Sequence, residues 1–197
     1  MSMLTCSPPS SVEVGGIAYA INTDFRVGIQ YETTMLDEGI PKEEKPLLAL
    51  ELYFPVIPHD IEEAFRLMQW FYICGQEKPK VTGRKGGNTQ RTYSYEHDAP
   101  YIYAAFLAQY GIDLCEVEGL HWWKFRALLE GLSEGCLFQK IMGYRAMEIR
   151  DKMSKEEKEF YRSMKELYRL PVSKNEQEKV DAIQEALLNG GDLTGIL

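Results

Sequence analysis

Three histidines, four cysteines and one basic glycine-rich run are the places where this 197-residue chain could carry chemistry. Glu118 and His121 stand three apart, which puts a carboxylate and an imidazole on one helix face, as in di-iron bundles. Such a centre needs a second E-x-x-H and further carboxylates, and the sequence has only one. Glu118 next to a helix start is otherwise an ordinary first-turn charge. His59, in Pro58-His59-Asp60, and His97 both precede helix starts, where capping surroundings account for them. A hydrolase needs a nucleophile elbow or a cysteine with a placed histidine, and no G-x-S-x-G occurs. Cys6, Cys74, Cys115 and Cys136 form no C-x-x-C pair and fit no zinc spacing. They are expected to be reduced and mostly buried thiols. No catalytic, metal or cofactor-binding residue is assigned, and the expectation is a protein that is not an enzyme and needs no cofactor.

The basic run holds Lys78, Lys80, Arg84, Lys85 and Arg91, with Glu77 as its one acid, a local charge of +4 in a chain whose net is −8. Gly83-Arg84-Lys85-Gly86-Gly87 is not a phosphate loop. That loop needs G-x-x-x-x-G-K-[ST] after a strand and before a helix, whereas here the lysine precedes the last glycines. Residues 76–91 are expected to form a mobile basic loop that could touch an acidic partner in a salt-dependent way. The acidic balance argues against nucleic acid or an anionic membrane as the main partner. No apolar run is long enough to span a membrane, and residues 1–10 lack a signal peptide's basic start and apolar core.

The elements that must position these residues read as follows. Residues 1–10 are expected to be a flexible tail. Val12, Val14, Ile17, Tyr19 and Ile21 alternate about Gly15-Gly16, a β-hairpin signal. Thr23 is expected to cap a helix to about Asp37, with Phe25, Gly28, Ile29 and Leu36 inward and Gly39 after it. A further helix begins near Pro41 and bends at Pro46, or begins at Pro46. Asp60 and Glu63 resemble a capping box for 60–74, which presents Ile61, Ala64, Phe65, Met68 and Tyr72 and stops at Gly75. A short extended piece is expected at Thr92–Tyr95. Asp98 and Pro100 open a helix that buries Tyr101, Ile102, Ala105 and Phe106 and closes at Tyr110-Gly111. Leu120–Leu132 is apolar around most of its circumference and belongs at the centre. Its Trp122, Trp123 and Phe125 are read as core before hot spot. Phe138–Gly143 and its flank form a short helix.

Ser154 and Glu157 make a capping box for a helix ending at Leu170-Pro171. Its apolar stripe is Phe160, Tyr161, Met164, Leu167 and Tyr168, the best candidate for a protein contact. Ser173 and Glu176 suggest a last helix with Val180, Ile183, Ala186 and Leu187 on one face, stopped by Gly190-Gly191, and a frayed end. The expected fold is mainly α. It is a single domain over 11–171 of about six or seven helices with a small N-terminal β-hairpin, and a C-terminal helix and tail follow over 172–197.

From Ser11 to Pro171 the chain resembles the bacteriophage family named after gene product fifteen of a siphophage. The resemblance is carried by Ile21-Asn22-Thr23-Asp24-Phe25-Arg26, by Ala64–Gly75 around Trp70-Phe71-Tyr72, and by Asp98–Asp113 (DAPYIYAAFLAQYGID). Leu120–Leu132 (LHWWKFRALLEGL), Ile141-Met142-Gly143-Tyr144-Arg145 and Tyr161 to Pro171 complete it. It implies a protein from a tail-morphogenesis cluster, near the major tail protein and the tape-measure gene. The expected role is a non-enzymatic tail-assembly chaperone in the host bacterial cytoplasm. Its expected partner is the tape-measure protein or another tail protein, with self-association as a further expectation. A minor virion component is the alternative implied by the same gene position. A nucleic-acid-binding regulator using the basic loop 78–91 is a reading of the residues. The resemblance carries no catalytic residue.

Overall fold

The computed structural model describes residues 4–76 and 91–171. Among these, a hairpin of β1 (Ser11–Val14) and β2 (Ile17–Ala20) precedes seven helices. They are α1 (Phe25–Leu36), α2 (Lys45–Tyr53), α3 (Ile61–Tyr72), α4 (Ala99–Tyr110), α5 (Trp122–Glu130), α6 (Leu137–Ala146) and α7 (Lys155–Leu167). The fold is mainly α, as the periodicity predicts. The helix expected from Ser173, and Lys78, Lys80, Arg84 and Lys85, lie outside the described residues.

Gly15 and Gly16 take φ of 57° and 77°. These left-handed values suit a two-residue turn between right-twisted strands and are cheap only for glycine. Val14 stands opposite Ile17 in the antiparallel register. Two strands alone are marginal in water, so the hairpin leans on the helices. Val12 and Val14 are buried, and the Gly15 N–H donates to Glu63 Oε2 over 2.8 Å. That bond corrects the expected capping box at α3. The Asp60 side chain accepts from the Glu63 N–H at 2.9 Å, but the Glu63 carboxylate turns to the hairpin rather than back to Asp60.

Other differences from the local reading have tertiary causes. The cap of α1 is Asp24, not Thr23. Thr23 instead offers its carbonyl to the Trp122 N–H at 2.7 Å, while the Phe25 N–H donates to the Leu120 carbonyl at 2.9 Å. This backbone exchange joins the start of α1 to the start of α5, so α5 begins at Trp122 and not at Leu120. Within α1, Tyr31 is buried and Leu36 points out. The helix starting at Lys45 with Pro46 in its first turn settles the proline question in favour of a late start, where proline's missing N–H costs nothing. Ile61 of α3 faces solvent, and Thr92–Tyr95 joins no strand. The last described helix ends at Leu167, earlier than Leu170-Pro171.

The core centres on α5. Trp122, Trp123, Phe125 and Leu129 are buried, so the aromatic run is core on both sides of the helix. Trp122 stacks on Tyr72 and Phe125, with centroids 5.3 and 5.8 Å away. Both indoles then solve a problem that α3 poses, because the last carbonyls of a helix have no partner within it. Trp122 Nε1 donates to the Tyr72 carbonyl and Trp123 Nε1 to the Phe71 carbonyl, each at 2.8 Å. The Phe71 carbonyl also accepts the Cys74 N–H at 3.0 Å, whereas among the described residues the Tyr72 carbonyl has only the distant Cys74 thiol besides Trp122. Trp122→Phe should therefore destabilise more than Trp123→Phe, by about 1 kcal/mol, the cost of a buried acceptor left bare. Urea denaturation of the two variants checks this order, and a reversed order would contradict it.

Candidate partner-binding face

Among the described residues, helix α7 is the most one-sided helix and the one that buries least. Its capping box is complete. Ser154 Oγ accepts from the Glu157 N–H at 3.1 Å, and Glu157 Oε2 accepts from the Ser154 N–H at 2.8 Å. The charge-rich face turns outward, as hydrophobic patterning requires. Yet none of its residues is buried. Phe160 is 49% exposed and Leu167 is 66% exposed, while Tyr161, Met164 and Tyr168 are half-buried. Packing is chiefly on α6, through Tyr144. The Tyr144 ring lies 6.0 Å from Phe160 and 6.4 Å from Tyr161, and it stacks on Tyr168 at 6.1 Å. The five residues singled out in the sequence thus form one surface, and Tyr144 is its platform. Tyr144 was legible only as part of the Ile141–Arg145 run.

The next residue, Arg145, fastens this surface to the domain. Its guanidinium donates to both carboxylate oxygens of Asp98, at 2.6 and 2.9 Å, to the Thr92 carbonyl at 3.0 Å and to the Tyr168 carbonyl at 2.6 Å. Lys165 Nζ donates to the Arg145 carbonyl at 2.9 Å. Asp98 sits at the N-cap of α4 but makes no cap bond there. It accepts the Ser94 N–H at 2.9 Å instead. Beside this clasp runs an open groove of about 580 Å³, where the polar Thr92, Arg145, Glu148 and Lys165 join Ala146, Met147 and Ile149.

A family model described as Bacteriophage Gp15 protein matches residues 7–170. The chain belongs to that family. The match takes in the hairpin, all seven described helices and the whole α7 stripe, and it stops just before Pro171. Comparison with curated proteins gives no match, and neither does comparison with solved structures.

The remaining candidates in this Gp15-family chain lie apart from the stripe. Arg91, the one described member of the basic set, pairs with Glu32 at 3.6 Å, and Glu32 also accepts the Tyr72 hydroxyl at 2.6 Å. The first contact ties Arg91 to α1, and the second ties α3 to α1. Two of the four free cysteines, Cys6 and Cys115, are exposed, which corrects the expectation of mostly buried thiols. They lie in segments outside the helices. Cys74 is half-buried, and burial pushes its thiol up to about 11. No helix among the described residues is long and apolar enough to cross a membrane.

His121 proves to be the cap of α5. Its Nδ1 accepts the Trp123 N–H at 3.0 Å, so Nε2 carries the proton and donates to the Pro9 carbonyl, also at 3.0 Å. The first of these bonds requires the neutral ring, since a protonated Nδ1 cannot accept, whereas the Pro9 bond survives protonation. Burial, opposed by the Pro9 bond and reinforced by the Lys124 charge, holds its pKa below the usual histidine value. The unfolded chain therefore binds a proton first as pH falls through about 6.5. Stability from the neutral ring is present above that pH and is lost below it. Unfolding curves between about pH 7.5 and 5 should show a decline that shrinks in His121→Asn, which keeps a capping acceptor. Equal declines in both chains would refute this role.

Proposed function

We propose that this chain is a non-enzymatic morphogenesis factor of a tailed phage, a tail-assembly chaperone in the bacterial cytoplasm. Its α7 face covers apolar helices of the tape-measure protein until the tail tube closes around them. One observation carries the reading. The most amphipathic described helix presents Phe160 and Leu167 to solvent although none of its residues is buried. Exposed apolar surface of this kind marks interaction sites, and an amphipathic partner helix fits it. The tape-measure protein enters from the tail-gene resemblance. No catalytic residue is part of the proposal.

The test is co-expression with the tape-measure protein, followed by pull-down and measurement of its soluble fraction. The parent chain should capture it and raise its solubility. Phe160→Glu with Leu167→Glu should weaken capture about tenfold or more, since a hot-spot truncation costs about 2 kcal/mol. Being exposed, the pair should change stability by only about 0.5 kcal/mol. Absence of capture by the parent chain sinks the reading. Mass spectrometry of purified particles separates the chaperone, which leaves the virion, from a minor tail component, which stays.

A further inference from the structure

The side of α7 left open is not the side that carries most of its basic residues. A helix turns about 100° per residue, so Glu156, Phe160, Ser163 and Leu167, at i, i+4, i+7 and i+11, form one seam. That is the spacing at which a second helix packs lengthwise. All four are exposed. Lys158 and Lys165 lie on the opposite side, where Lys165 donates to the Arg145 carbonyl. One flank of the seam is taken: Met164 is half-buried, and Glu157 is held by the Ser154 N–H. The other flank is Glu159 and Glu166, at i and i+7 and both exposed. Neither carboxylate enters an ion pair among the described residues. Lys155 and Arg162 stand farther round the helix, beyond these two. A helix approaching the seam therefore meets carboxylates before cations.

We infer that this seam takes an amphipathic helix of another protein that carries Lys or Arg beside its apolar stripe, facing Glu159 and Glu166. The charges argue against a second copy of this chain as the occupant. An antiparallel copy would set one row of Glu159 and Glu166 against the other, and a parallel copy would set Glu156 against Glu156. Facing like charges oppose such pairing and select a partner of opposite charge. Phe160 and Leu167 supply the adhesion, while the carboxylates decide which helix is accepted and in what register. The inference rests on the reading of α7 as a partner face and adds the chemistry of what that face binds.

Two synthetic helical peptides of about three heptads test it on the full-length chain. Both carry Leu along the apolar stripe; one has Lys at the flanking positions and the other has Glu. Fluorescence anisotropy should show the Lys-flanked peptide binding about tenfold more tightly, because two attractions replace two repulsions. Glu159→Gln with Glu166→Gln should level the two affinities, and Glu159→Lys with Glu166→Lys should invert them. Thermal unfolding provides the reference that these exposed changes leave the fold intact. Glu13→Lys with Glu51→Lys, exposed positions on β1 and α2, should leave the preference in place. Equal affinities in the parent overturn the inference while the partner face stands. So does a preference lost equally in the Glu13 and Glu51 variant, because the attraction would then be to overall charge. Binding of neither peptide overturns both readings. A dimer mass by light scattering that disappears in Phe160→Glu also overturns the inference, since a second copy would then occupy the seam. The tape-measure pull-down reads a different partner, so its failure is told apart from these results.

Discussion

Gly28→Ala should lower the stability of the fold by about 2 kcal/mol, although alanine is the better helix former by about 1 kcal/mol. A Cβ at position 28 would lie 2.3 Å from Trp122 Cε3 and within 2.6 Å of two further ring atoms. Real Cβ atoms do not approach that closely, so either the ring or the helix must move. The ring is not free to do so. Trp122 is fully buried, lies between Tyr72 and Phe125, and is tied by its indole N–H to the Tyr72 carbonyl. Displacing α1 would strain the backbone exchange between Thr23, Phe25, Leu120 and Trp122. Overpacking of this kind costs about 1–3 kcal/mol and sometimes more, which exceeds the propensity gain. In a chain of this length that corresponds to a melting point lower by about 4–8 °C, and Gly28→Val should be worse. Thermal and urea unfolding check this. In the double variant Gly28→Ala with Trp122→Leu, the two costs should be less than additive, because the smaller side chain relieves the clash. A Gly28→Ala chain as stable as its parent would show that α1 and α5 separate easily.

Breaking the Asp98–Arg145 pair from either side should cost about 3–5 kcal/mol, the range for a buried charge that loses its partner. The side chains are 1% and 9% exposed, so solvent can replace little of what is lost. Arg145→Lys should recover only part, since an ammonium cannot reproduce the two-pronged contact while also reaching the Thr92 and Tyr168 carbonyls. Replacing both partners by apolar residues, Asp98→Leu with Arg145→Met, should be milder than either single change to alanine. The two single variants should differ in one respect. Arg145→Ala frees the Tyr168 carbonyl and should speed hydrogen exchange at the end of α7. Asp98→Ala leaves that bond in place and should affect α4 and the Ser94 turn more. Denaturant midpoints and exchange rates test both statements, and equal effects on α7 would contradict the role assigned to Arg145.

Several parts of this fold were legible in the sequence because the interactions that make them are local. The Gly15-Gly16 turn, the Asp60 cap, the Gly111 stop of α4 and the Ser154–Glu157 box each close within a few residues, so residue type and spacing suffice. The apolar circumference of α5 likewise announces a central helix, because a helix without a polar face must be enclosed. Long-range contacts decided the rest. Thr23 has the chemistry of a cap, but its carbonyl is taken by Trp122, about a hundred residues on, and the cap passes to Asp24. Asp98 and Glu63 stand at helix starts, yet a guanidinium from α6 and the Gly15 amide of the hairpin turn claim them. Gly28 is an unremarkable helix glycine until an indole is seen against it. The α7 stripe marks the division most clearly. Its spacing determines that one face is apolar, while only the packing of the other described elements shows that Tyr161, Met164 and Tyr168 are half-covered and Phe160 and Leu167 stay exposed. The reason is physical: periodicity is a property of one helix, but burial is a property of the pair, and the partner surface is assembled by the whole chain.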